Sequence, residues 1–178
     1  YYIESYRQGK KPIVFLPMER CFKEILLINQ AEQKGTFRTL TKCQACGKCG
    51  LGASRFAAIH PDGSIYACQE LTSNDEKCQV FRIGDIYAGV DDAKRKRLMD
   101  WYDGAKTTGD HCEQCLYNRV CDGDCVANNY LITGSINTIP AVTCWWRRLL
   151  LDSAVRVMSV LGDEENELFQ ETWARLVR

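Results

Sequence analysis

Residues 112–125 read CEQCLYNRVCDGDC and carry four cysteines in a CX2CX5CX3C spacing: Cys112, Cys115, Cys121 and Cys125. The chain of 178 residues has eleven cysteines in all. The odd count, the tight CX2C step and a start without the layout of a signal peptide favour metal or cluster ligation over disulfides. Thiolates in this pattern bind zinc or an iron–sulfur cluster, and the spacing alone leaves both open.

Further cysteines lie far from this stretch along the chain. Residues 41–53, TKCQACGKCGLGA, form a predicted irregular loop with Cys43, Cys46 and Cys49. Cys68 and Cys144 lie upstream and downstream of the four-cysteine stretch. A cuboidal cluster is larger than a zinc ion and tolerates ligands from separated loops, which favours clusters over zinc.

The remaining candidates for chemistry have simpler interpretations. Cys21 lies on a predicted helix face with Phe22 and Ile25, which is typical of a buried small hydrophobe. Cys78 follows a polar loop, and no function is predicted for it. The two histidines, His60 and His111, are typical of loop residues rather than of a general base, so no catalytic residue is predicted.

Several helices and a hairpin must position these cysteines. Pro61-Asp62-Gly63 between two short apolar runs predicts a β-hairpin over 55–69, with a further short strand at 81–86. Gly162 is expected to end the long amphipathic helix, and Asp163 to cap the last one. Trp145 and Trp146, which follow Cys144, are expected to pack in the core, with shielding of a cluster as the alternative. Helices are predicted over 1–8, 18–34, 91–106, 124–132, 141–161 and from Asp163 to about 177.

Composition excludes several classes of protein. The formal net charge is zero, and the basic run Lys94–Arg97 is typical of a solvated helix face, so nucleic acid is not an expected partner. No apolar run approaches the roughly 18 residues of a membrane span. We therefore expect an α+β, loop-rich, cysteine-rich domain with a β-hairpin and several helices wrapped around metal-binding cysteines, in the cytoplasm. The abrupt start at Tyr1 suggests a piece of a longer protein.

The combined pattern resembles a known family. Cys49-X13-Gly63-X4-Cys68, then CX2CX5CX3C at 112–125, then Cys144 is similar to the SPASM pattern of radical S-adenosylmethionine enzymes that modify peptides and proteins. The resemblance covers about residues 43–144. It implies residues 1–40 as the helical tail of a catalytic barrel, 41–145 as the auxiliary-cluster domain and 146–178 as C-terminal helices.

The resemblance implies two [4Fe–4S] clusters with interleaved ligands. The first ligand set is Cys43, Cys49, Cys68 and Cys125, with Cys46 as an alternative to Cys43 or an open site. The second ligand set is Cys112, Cys115, Cys121 and Cys144. The six-residue step from Cys43 to Cys49 is similar to that of anaerobic sulfatase-maturating enzymes. The stretch CLYNRVCDGDCVANNYLITG looks more like the thioether-forming peptide maturases.

The sequence departs from the family at the radical-initiating motif. That site needs CX3CX2C, whereas the nearest spacing here, Cys43 to Cys49, is CX2CX2C. The chain alone is therefore expected to be inactive, with S-adenosylmethionine and a third cluster held by the rest of the parent enzyme. Expected partners are that radical-generating barrel, a precursor peptide and an electron carrier such as ferredoxin or flavodoxin. The alternatives are a structural zinc domain and an iron–sulfur electron carrier.

Overall fold

A computed structural model describes residues 1–33, 51, 56–104, 112–118, 120, 121, 123 and 125–174. The fold is α+β, as predicted, with helices and one antiparallel sheet. The chain divides into two compact units, each built from separate segments. Unit 1 holds Tyr1–Leu40, Glu113–Cys121 and Cys144–Arg178, and unit 2 holds Thr41–Cys112 and Asp122–Thr143.

The sheet of unit 2 has four short strands in the order β1-β2-β3-β4, and each strand is antiparallel to its neighbour. Ala58 pairs with Tyr66 across the predicted hairpin, and Ser64 pairs with Asp85 across the next pair. The predicted hairpin and the predicted short strand are thus confirmed. The strands are β1 (Ala58–Ile59), β2 (Ser64–Tyr66), β3 (Arg82–Asp85) and β4 (Gly89–Val90).

Local hydrogen bonds explain the tight turn between β1 and β2. The N–H of Gly63 donates to the carbonyl of His60 at 2.9 Å, and the N–H of Ser64 donates to the Asp62 carboxylate at 2.8 Å. The Ser64 N–H, followed by the His60 side chain, lowers the pKa of Asp62 to about 2. Gly63 has a φ of +90°, which only glycine adopts without strain.

Helices complete unit 2 and close its core. Short 3-10 helices span Gln69–Leu71 and Glu76–Phe81, followed by α3 (Asp92–Gly104) and α4 (Val126–Thr133). The basic run lies on α3, where Lys96 pairs with Asp100 at 2.6 Å on the exposed surface. The core is formed by buried side chains from the sheet, the 3-10 helices and α4, among them Leu51, Tyr66, Leu71, Cys78, Phe81, Ile83, Ala127 and Ile136.

Unit 1 is helical and joins distant parts of the chain. Its helices are α1 (Tyr2–Arg7), α2 (Leu16–Gln33), α5 (Ala141–Asp163, whose first three residues belong to unit 2) and α6 (Glu167–Ala174). Phe22 and Trp173 meet edge to face with ring centroids 4.9 Å apart. The indole N–H of Trp173 donates to the Tyr6 hydroxyl at 3.1 Å. Cys21 is fully buried in this core, as predicted.

Three expectations from the sequence are corrected. Gly162 does not end α5, which runs to Asp163, and the turn that follows has Glu165 at a φ of +48°. The side chain that caps α6 belongs to Asn166, not Asp163, because Asn166 Oδ1 accepts the Phe169 N–H at 3.0 Å. Cys78 is a buried residue of the 3-10 helix Glu76–Phe81 rather than part of a polar loop.

Two further observations complete the description. No helix among the described ranges is long and apolar enough to cross a membrane. The predicted loop 41–53 lies outside the described residues except for Leu51, and so does His111.

Candidate metal centre

Cys68 and Cys125 are 57 positions apart in the chain but pack on the same hydrophobic core of unit 2. Cys68 is the residue before the 3-10 helix Gln69–Leu71, and Cys125 is the residue before α4. Their thiols are close enough for the charge of one to affect the titration of the other. The fold therefore brings together the two described members of the first ligand set.

The backbone after Cys68 turns back toward it. The Leu71 N–H donates to the Cys68 carbonyl at 3.2 Å. Burial raises the pKa of the Cys68 thiol, and the nearby Cys125 adds to the rise. The backbone N–H groups of Glu70 and Leu71 act on this pKa in the opposite direction, because N–H dipoles near a thiol favour the thiolate.

Asn129, which the spacing of cysteines did not indicate, holds the segment before Cys125 in place. Asn129 is fully buried one helical turn after Cys125, and its N–H donates to the Cys125 carbonyl at 2.9 Å. Its side-chain amide donates to the Gly123 carbonyl at 3.1 Å. The signal available in the sequence was an asparagine four residues after a candidate ligand, the position that faces the same side of a helix.

In unit 1, a tight loop carries Cys115 and Cys121. The N–H of Cys121 donates to the Tyr117 carbonyl at 2.7 Å, and the N–H of Asn118 donates to the Cys115 carbonyl at 3.1 Å. Tyr117 and Val120 pack on the core of unit 1. The Tyr117 hydroxyl also hydrogen-bonds to the Asp152 carboxylate on α5, which raises the pKa of Tyr117 to about 12.

Cys144 lies in the first turn of α5, and Arg147 follows it one turn later. The Arg147 guanidinium is buried, forms an ion pair with Glu24 on α2 and donates to the Cys21 sulfur at 3.4 Å. Burial raises the pKa of the Cys21 thiol, whereas the Arg147 charge lowers it and the charges of Glu24 and Cys121 raise it. Sequence reasoning did not single out Arg147 or Glu24, whose pairing joins residues 123 positions apart.

Two tryptophans lie between Cys144 and Arg147, and their side chains are exposed. Trp145 and Trp146 were expected to be core residues, but they are 63% and 44% exposed. The expectation was wrong because the buried side of α5 is formed by other residues: Arg147, Leu150, Leu151, Ala154, Val157 and Leu161.

The predicted ligands fall into three groups in the structure. Cys43 and Cys49, with the alternative Cys46, lie outside the described residues. Cys68 and Cys125 are brought together in unit 2, and Cys115, Cys121 and Cys144 belong to unit 1. Cys112 is the last residue of a unit 2 segment, three residues before Cys115. Across the described ranges, no three His, Cys, Asp or Glu side chains are grouped so as to hold a metal ion. Both ligand sets therefore stay predictions.

The donor chemistry fits an iron–sulfur cluster. Eight cysteines in the described part of the chain are free thiols: Cys21, Cys68, Cys78, Cys112, Cys115, Cys121, Cys125 and Cys144. The thiolate is the ligand that iron–sulfur clusters take, and N–H groups directed at sulfur are part of the surroundings that tune them. Six of these eight cysteines belong to the two ligand sets, and each can supply a thiolate ligand.

Comparison with known proteins adds no relative. No model of a protein family matches the chain. No curated protein matches it significantly. The resemblance to the SPASM pattern therefore depends on the cysteine and glycine positions alone.

Proposed function

We propose that this chain is the auxiliary-cluster region of a radical S-adenosylmethionine enzyme that modifies a peptide. In this proposal the first ligand set and the second ligand set each hold one [4Fe–4S] cluster. The radical-generating site lies in the rest of the parent enzyme, which acts in the cytoplasm. The substrate class is a ribosomally made precursor peptide, and the modification is a thioether cross-link.

The observation that carries the proposal is the division of the CX2CX5CX3C stretch between the two units. The chain passes from unit 1 to unit 2 directly after Cys121. Cys121 thus belongs to the same unit as Cys115 and Cys144, whereas Cys125 belongs to the same unit as Cys68. The SPASM resemblance separates these five cysteines in the same way, although it was inferred from sequence positions alone. Cys112, which the resemblance assigns to the second ligand set, instead ends a segment of unit 2. A single four-thiolate zinc site within residues 112–125 does not account for this division.

The chemistry of cross-linking requires an electron acceptor. When a carbon-centred peptide radical joins a thiol sulfur, the new C–S bond forms with release of one proton and one electron. Bound clusters would supply the acceptor for that electron, which a ferredoxin- or flavodoxin-type partner would then remove. Residues of this chain hold the segments that carry the cysteines: Asn129 bonds to Gly123 before Cys125, and Tyr117 bonds to Asp152 beside Cys115 and Cys121.

Iron, acid-labile sulfide and zinc analysis of the anaerobically purified full chain tests the proposal. We expect about eight irons and about eight sulfides per chain with broad absorption near ~400 nm, as two [4Fe–4S] clusters require. A colourless protein with stoichiometric zinc would instead establish the structural zinc domain, because Zn²⁺ has a filled d shell. A third outcome is a chain that holds clusters and passes electrons, in a parent enzyme that binds no peptide. That outcome would favour the iron–sulfur electron carrier.

A further inference from the structure

Unit 1 contains a buried ion pair, one member of which lies on the helix that carries Cys144. The side chains of Arg147 and Glu24 are only 10% and 7% exposed. Arg20 also donates to Glu24, from Nε to Oε1 at 2.8 Å, but its side chain is 41% exposed. Arg147 and Glu24 are therefore the two charges of this group that solvent screens least.

Arg147 shares a helix face with one member of the second ligand set. Cys144 and Arg147 are three residues apart on α5, which places them on one face. Side chains on a helix lean toward its N-terminus, which favours a course of the Arg147 side chain past the turn that carries Cys144. The Arg147 guanidinium contacts Glu24 and Cys21 on α2. Of the second ligand set, Cys144 thus lies on the same face of α5 as this buried charge.

We infer that Arg147 and Glu24 are positioning residues that set the reduction potential of the cluster held by the second ligand set. This inference rests on the proposed function. Reduction adds one electron to the cluster from an external donor and moves no proton. A buried positive charge stabilises the more negative, reduced state, and a buried negative charge destabilises it, because neither is well screened. The pair therefore adjusts how readily this cluster accepts an electron.

The inference predicts potential shifts of opposite sign from two similar substitutions. Arg147→Gln removes a positive charge and should lower the potential, whereas Glu24→Gln removes a negative charge and should raise it. We expect each to change the equilibrium constant for reduction about tenfold, which is about 59 mV for a one-electron couple. Arg147→Lys keeps the charge and should restore most of the wild-type value. A purely structural role would not reverse the sign between the two variants.

The experiment is a redox titration of the full chain, loaded with iron and sulfide and followed by EPR. The signal of the second cluster is the one lost in Cys144→Ala. Arg7→Gln and Glu164→Gln are the matched controls, because this ion pair also belongs to unit 1 but is 49% and 35% exposed. Solvent screening should leave the potential of both controls unchanged. If Arg147→Gln does not fold, the double variant Arg147→Gln/Glu24→Gln and Glu24→Gln alone still give the comparison.

The outcomes separate this inference from the proposed function. An iron-loaded protein whose potential is unchanged in both single variants, or moves in the same direction in both, overturns the inference and leaves the proposed function intact. A wild-type chain that binds no iron or sulfide overturns both. In the double variant, where the two charges are removed together, a potential close to the wild-type value and below that of Glu24→Gln supports the inference. A double variant that matches Glu24→Gln contradicts it, because removal of Arg147 then has no effect.

Discussion

The hydroxyl of Tyr117 donates a hydrogen bond to the carboxylate of Asp152, 35 positions away on α5. The bond ties the loop of Cys115 and Cys121 to the helix that begins near Cys144. Because the neutral phenol is the donor and Asp152 is negative, the pKa of Tyr117 rises to about 12.

Asp152→Asn should return the pKa of Tyr117 toward its usual value of 10.0, because the side-chain hydrogen bond to the carboxylate is the largest cause of the shift. Folding raises this pKa, so the stabilisation is complete below about pH 10 and is lost as the pH rises toward 12. The stability difference between wild type and Asp152→Asn should thus be larger at about pH 8 than at about pH 12. Tyrosinate absorbance and urea unfolding measure the two effects. Asp163→Asn on the same helix is the control, and an equal pKa change there would contradict the prediction.

Asn166→Ala should lower the free energy of unfolding by about 1 kcal/mol, because the variant loses the N-cap of α6. It also loses the hydrogen bond from the Asn166 amide to the Tyr6 carbonyl at 3.2 Å. Asp163→Ala is the matched control, since Asp163 ends α5 and caps nothing, and its effect should stay within about 0.5 kcal/mol. Urea denaturation measures the free energy of unfolding of both variants. An equal loss in the two would show that Asn166 is not the N-cap of α6.

Gly63→Ala should destabilise the chain by about 1–3 kcal/mol, for two reasons that act together. The φ of +90° strains an alanine, and a Cβ at this position would lie 3.1 Å from Ile86 Cγ1. Gly134→Ala separates the two causes, because Gly134 has a φ of +77° with nothing within 4 Å of an added Cβ. Thermal or urea unfolding should give a larger loss for Gly63→Ala than for Gly134→Ala. A larger loss at Gly134 would refute the steric contribution from Ile86.

Cys125→Ala and Cys121→Ala should each remove about half of the bound iron, but from different clusters, if each ligand set holds one [4Fe–4S] cluster. Combining Cys125→Ala with Cys68→Ala should therefore remove no more iron than Cys125→Ala alone. Combining it with Cys121→Ala should remove nearly all of it. Iron analysis after anaerobic reconstitution measures these losses.

Cys78→Ala is the control for the cysteine series. Cys78, like Cys68, is buried in the core of unit 2, but it belongs to neither ligand set. The iron content of the Cys78→Ala protein should therefore match that of the wild type. The interleaved assignment would be wrong if the iron lost in Cys125→Ala were not increased by Cys121→Ala.

The parts of the fold that depend on local chemistry were predictable. The hairpin follows from an Asp-Gly turn whose hydrogen bonds join residues at most four apart, from His60 to Ser64. The end of α5 was not predictable by the same reasoning. A helical glycine costs only about 1 kcal/mol, so Gly162 can remain helical. Asn166 instead caps α6 while its side chain bonds to Tyr6, 160 positions away, and that contact cannot be seen in a local pattern.

The candidate site was predictable only as a set of cysteines. Their order and spacing indicate ligands, because ligation requires particular residue types. The groups around them come from tertiary packing: Arg147 reaches Glu24 across 123 positions, and the position of Asn129 after Cys125 does not by itself reveal the bond from its amide to Gly123. Trp145 and Trp146 failed as predicted core residues for the same reason. Which face of a helix is buried depends on its neighbours.

The pairing of the first and last helices of unit 1 has a consequence for biosynthesis. Trp173 on α6 contacts both Phe22 and Tyr6, so this core is incomplete until residue 173 has emerged from the ribosome. Unit 2 ends at residue 143 and can fold earlier, during translation. Cys68 and Cys125 would then lie in a folded unit while the unit of Cys115, Cys121 and Cys144 still lacks its last helix. Under the proposed function, the two ligand sets would therefore become ready to bind their clusters at different times during synthesis.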